Sequence, residues 1–148
     1  MIASILIAAI SIVLFFYWFR YTCVLILSTK TSTDYTSEVA AANQLQFLEV
    51  QGALQSSGRG ELDRLEVALD HDYRVLSFLL RHTADMEIGD TTLEQHMLRL
   101  DFAVMRASYQ ITRRVSQSAA RGALNEMSQI VSHFANTFGE RVTQGSQA

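Results

Sequence analysis

The sequence predicts an all-α protein: an N-terminal single transmembrane helix followed by an antiparallel bundle of three or four helices. Three observations carry that expectation. The run from Ile2 to Phe19 holds no charged side chain. There is no proline in 148 residues, while Ala, Leu, Gln, Arg and Glu are plentiful, so nothing interrupts long helices. After the first thirty or so residues, apolar side chains recur at spacings of three and four, the period of one helical face.

The opening run spans 18 residues, roughly 27 Å of helix against the ~30 Å of a bilayer's hydrocarbon layer. Its end is aromatic and then cationic: Tyr17, Trp18, Arg20 and Tyr21, with Lys30 beyond. Rings with one dry and one wet end favour the headgroup boundary, so these five residues are the expected membrane-interface set. A cleaved signal peptide fits poorly, because no Lys or Arg precedes Arg20 and aromatic residues stand where small ones belong. Bulky, polar neighbours before Cys23 also disfavour a lipoprotein signal, and a buried core helix would carry a polar face. Both flanking cations lie on the C-terminal side, which places the N-terminus outside and the bundle in the cytoplasm. Arg20 is expected to snorkel at the inner interface, with Val24 to Leu27 lying along that interface or forming the tail of a tilted helix.

The expected organisation is a membrane helix over 1–28, a Ser/Thr-rich linker over 29–34, a bundle over 35–140 and a flexible tail over 141–148. Asp34 suits an N-cap for a first soluble helix over 35–56, whose apolar positions include Val39, Ala42, Leu45 and Leu48. Ser56 to Gly60 reads as a turn. In a second helix over 61–84, Leu62, Leu65, Leu69, Tyr73, Leu76 and Leu80 form a narrow stripe. Val67, Val75, Phe78 and Leu79 give that helix a second apolar face, so it is expected to lie centrally or to meet another chain. A loop follows over 84–90, and Thr91 with Glu94 forms a capping box. Leu93, Met97, Leu100, Val104, Ala107 and Ile111 then repeat at 4, 3, 4, 3, 4, a heptad seam. The later stripe Leu124, Met127, Val131, Phe134 and Phe138 falls on nearly the opposite side of a straight helix, which favours a break between Ser116 and Gly122 and a fourth helix over 119–138, the alternative being one long helix whose two halves bury opposite faces against different partners.

Charge and motifs bound the function. A single cysteine excludes an internal disulfide framework and a Cys-rich zinc site. It also lies beside the membrane, where an ordinary interfacial thiol outweighs a palmitoyl acceptor. Residues 61–101 hold ten acids and four arginines, whereas 102–125 hold four arginines and no acid. Those four, Arg106, Arg113, Arg114 and Arg121, share about 100° of helix surface. They are expected to pair with the acidic side of the second helix, or else to contact anionic lipid or a partner. Nucleic acid is not an expected partner, since the net charge is −3 and no aromatics interleave with the arginines.

No metal, cofactor or catalytic site is expected. Asp70, His71 and Asp72 are adjacent and point about 100° apart on a helix, and no Glu-x-x-His or His-x-x-x-His spacing occurs. Gly58-Arg59-Gly60 lacks the strand that a phosphate loop requires. The expected role is therefore interaction: a scaffold or accessory subunit at the inner membrane face. Its partners are the bilayer and either another membrane or cytoplasmic protein or a second copy. The alternatives are an oligomer-forming signalling module built on the heptad seam, and an enzyme with a buried Asp/His site.

Overall fold

The computed structural model describes residues 1–29, 33–86 and 93–147. These form six helices and no strand among the described residues, in two compact units divided at Lys30. The first unit is α1, Ile2–Ser28. It is long and apolar enough to cross a membrane, and the apolar window along it is fully exposed. The helix runs through Arg20 to Ser28 without interruption, so Val24 to Leu27 form its tail. Thr22 and Ser28 turn their hydroxyls back onto the carbonyls of Trp18 and Leu25, both at 2.8 Å, which removes two polar groups from an apolar surface.

The second unit contains α2 (Thr36–Asn43), α3 (Phe47–Ala53), α4 (Arg59–Met86), α5 (Leu93–Thr112) and α6 (Gln117–Gln147). Tyr35, not the expected Asp34, takes the N-cap position of α2; Asp34 stands one residue ahead, and one of its carboxylate oxygens accepts the Thr36 N–H at 3.0 Å and the Thr36 hydroxyl at 2.6 Å. The hydroxyl bond, and then the N–H bond, hold the Asp34 carboxyl below the usual carboxylate range.

The single helix expected over 35–56 is instead two. Gln44 adopts the left-handed conformation at φ 54°, and the Leu45 N–H closes back on the Ala40 carbonyl at 2.9 Å, a Schellman-type ending. The chain restarts where the Gln46 N–H donates to the buried Asp72 carboxylate of α4 at 2.6 Å. The break changes which residues face inward. Leu45, Phe47, Val50 and Leu54 are buried, while Ala42 and Leu48 of the expected stripe are exposed.

In α4 the leucine stripe faces the core. Leu62, Leu69, Leu76 and Leu80 are each at most 1% exposed, a burial that contributes about 2 kcal/mol per side chain. The central element, however, is α6, which packs against α2, α3, α4 and α5. Small buried residues (Ala120, Ala123, Ser128, Ala135 and Gly139) let several neighbours approach it closely, and Leu124, Met127, Ile130, Val131 and Phe134 fill the spaces between them. Gly139 is where α2 docks. A methyl group there would meet the Cβ of Tyr35 and come within 2.9 Å of its Cγ. Asn136, one turn earlier, accepts the Tyr35 N–H at 2.8 Å.

The break before α6 lies at 113–116, slightly ahead of its expected place, and α6 continues as helix through Gln147 where a frayed tail was expected from 141. Ser116 supports the restart by accepting the Ala120 N–H on its backbone carbonyl at 3.0 Å. Helix α4 continues through 84–86, where a loop was expected to begin; the rest of that loop over 87–90, the expected capping box at Thr91 and Lys30 lie outside the described residues.

Candidate functional site

Helix α5 positions the most informative surface. Its buried side is Leu98, Phe102, Met105 and Tyr109, with Gln95 and Asp101. Phe102 stacks on Tyr73 of α4 with ring centroids 3.9 Å apart, and Tyr73 stacks in turn on Phe134 of α6 at 5.9 Å. This aromatic column ties the three long helices together. The heptad stripe is on the other side of α5, about 150° around the axis. Leu93 is 77% exposed, Leu100 56% and Ile111 72%; Ala107 is exposed too, and Met97 and Val104 are half-buried. The seam is thus not the face that the bundle covers.

Of the four arginines only Arg106 lies within α5; Arg113 and Arg114 follow it in the turn before α6, and Arg121 lies on α6. Arg106 is held by two carboxylates one helical turn apart: its Nε donates to Glu66 at 2.9 Å and its Nη1 to Asp70 at 2.8 Å. Asp70 also pairs with Arg74 at 2.8 Å. Arg113 donates to Asp63 at 3.1 Å. The same Asp63 oxygen accepts the Tyr109 hydroxyl at 2.6 Å. That bond, ahead of the contribution of Arg113, lowers the Asp63 carboxyl, whereas burial and then the Asp63 bond push the Tyr109 phenol well above its usual range. Arg121 donates to the Ser57 carbonyl in the turn before α4. Three of the four arginines therefore knit the bundle together, and Arg114 stands exposed beside them.

The second apolar face of α4 divides as well. Val67 and Phe78 are exposed, Val75 and Leu79 half-buried, and Phe78 lies against His82 with ring centroids 4.1 Å apart. Next to Val67, an open groove of about 810 Å³ runs between α3 and α4, lined by Glu49, Glu61, Asp63, Arg64 and His71 among others. Its charges are dispersed along an open cleft. Among the described residues, no three His, Cys, Asp or Glu side chains converge in a way that could hold a metal ion. His71 contacts its neighbour Asp72 at 3.3 Å, and His133 of α6 contacts Glu94 of α5 at 2.7 Å. On α1, Tyr17, Trp18 and Tyr21 are exposed on the helix surface, with Trp18 edge-on to both Tyr17 and Tyr21.

Sequence reasoning missed three polar anchors: Asp72 as acceptor for the α3 start, Asp63 as acceptor for Tyr109, and Asn136 as acceptor for Tyr35. A signal was present only for Asp72, which falls about 65° from the centre of the α4 leucine stripe and so at the border of the buried side.

No protein-family model matches the chain, and neither a curated protein nor a solved structure is similar to it.

Proposed function

We propose that the chain is a single-pass membrane protein whose helical bundle is an interaction module at the cytoplasmic face of the bilayer. The observation that supports this reading is the exposed heptad stripe of α5. A soluble surface rarely presents six apolar positions in one continuous line, and patches of that kind are interaction sites. In this reading α1 is retained as an anchor. Its apolar window is exposed, and Tyr17, Trp18, Arg20, Tyr21 and Lys30 mark its cytoplasmic boundary.

The four arginines add little to a lipid-binding role, since Arg106, Arg113 and Arg121 already have partners within the bundle. Contact with another chain through α5 is the better use of the surface. The test is a photo-cross-linking side chain at position 100 in the full chain in its native membrane, alongside a reporter fused after Ala148. A cross-link to protein and a cytoplasmic reporter support the proposal. A reporter on the opposite side, or a position 100 that captures no protein, removes it.

A further inference from the structure

Resting on the reading of α5 as a docking surface, we infer that its occupant is a second copy of this chain, bound as a parallel two-stranded coiled coil along Leu93–Ile111. The residue types in the seam select this arrangement. Leu93, Leu100 and Ala107 fall at one core position of the heptad, and Met97, Val104 and Ile111 at the other. Leucine at the d positions with β-branched side chains at the a positions is the combination that favours two parallel strands. Here Leu93 and Leu100 sit at d, and Val104 and Ile111 at a.

Beside the seam, the exposed g positions are His96, Ala103 and Gln110, none of them a Lys, Arg, Asp or Glu that would repel its counterpart on a second copy. A membrane-surface helix would instead carry Lys or Arg beside its apolar stripe, whereas Arg106 of α5 and Arg113 in the turn after it are drawn to the far edge by Glu66, Asp70 and Asp63. The helix also stops at Thr112, before the next core position, Arg114, would bring two cations together. Two and a half heptads make a short seam. The bundle holds each strand already folded, and confinement to one membrane raises the effective concentration of the second.

The test uses the full chain in lipid nanodiscs with Cys23→Ser as background. Val104→Cys and Ile111→Cys, each alone, should give disulfide-linked dimers on mild oxidation, because a residues face their own counterparts in a parallel pair. Ser118→Cys, exposed on α6, should not. Leu100→Glu should raise the dimer dissociation constant about 30-fold or more, with helix content by circular dichroism unchanged. An antiparallel seam is revealed by cross-linking only between Leu93→Cys and Ile111→Cys chains, and overturns the register. Quenching of a probe at position 104 by brominated lipid, without cross-linking, assigns the face to the bilayer and overturns the second copy. A chain that stays monomeric while position 100 still captures a different protein overturns the homodimer and leaves the docking reading standing; capture of nothing removes both.

Discussion

The Tyr109 hydroxyl donates to Asp63 Oδ1 at 2.6 Å, fastening the C-terminal half of α5 to the N-terminal half of α4. Asp63 titrates below its ordinary value near 3.8, so its contribution to stability is present above that value and is lost as pH falls through the lower value of the folded state. Tyr109 titrates above its ordinary value of 10.0, so its contribution is complete below pH 10.0 and is lost as pH rises toward the folded value. Asp63 is 57% exposed, which screens the interaction. Tyr109→Phe is expected to cost about 1 kcal/mol at neutral pH. In urea titrations, the gap between wild type and variant should stay flat from roughly pH 5 to 9 and narrow on both sides. A gap that does not change with pH would mean the phenol contributes by packing alone.

Arg106 sits between two carboxylates, and Glu66 is 8% exposed at its side chain. Arg106→Met leaves Glu66 and Asp70 facing each other across one helical turn without their shared cation. Arg106 itself is 41% exposed, so the expected loss lies between the surface and buried limits, about 2 kcal/mol. Adding Glu66→Gln to Arg106→Met should recover part of that loss in a double-mutant cycle by urea unfolding. If the two losses simply add, the carboxylate is not what the arginine neutralises.

Gly139→Ala is expected to destabilise the bundle even though alanine is the better helix former. The added methyl meets Tyr35 at its Cβ, close to backbone, and comes within 3.2 Å of Val39 Cγ2, so α2 must move as a body. A cost of about 1–3 kcal/mol is expected. Hydrogen exchange should show lost protection in Thr36–Asn43 ahead of α4 and α5. Gly145→Ala, where a Cβ meets nothing within 4 Å, is the control and should leave stability unchanged or slightly raised.

Gln44→Gly relieves a left-handed backbone at φ 54° and should stabilise the bundle by about 0.5–1 kcal/mol. Asp72→Ala should act in the opposite sense at the same corner, because the Gln46 N–H then loses its acceptor; a loss of about 1–3 kcal/mol is expected. Both follow from thermal unfolding monitored at 222 nm. Failure of Asp72→Ala to lower the midpoint would show that α3 is held by its apolar side chains alone.

The helical class, the apolar first helix and the leucine face of α4 were legible because each depends on local composition or on one helix's own period. The split of 35–56 was not. It needs a residue without glycine's freedom to turn left-handed at Gln44, and a carboxylate 26 positions away to accept the new N–H. The heptad stripe of α5 was legible as a pattern but not as a surface. Periodicity marks two sides of α5, and only the placement of α6 and the aromatic column at Phe102 decides which is covered. The arginine stripe had a correct bland reading in the sequence for Arg106 and Arg113, because ten acids upstream made pairing with α4 the expected outcome. The central place of α6 was hidden by its modest-looking alanines and glycines, whose value is closeness rather than hydrophobicity.

The position of α6 in the chain has a consequence for synthesis. Helices α2 to α5 leave the ribosome before the element that every one of them packs against. Until Gln117 and the residues after it emerge, Leu62, Leu69, Leu76 and Leu80 have no core to enter, and α4 and α5 are joined chiefly by ion pairs and one ring stack. The nascent domain therefore spends that interval with its leucines in water. Ribosome-bound chains halted at Ser116 should be protease-sensitive and should occupy holdase chaperones, and chains extended past Gln147 should be released from both.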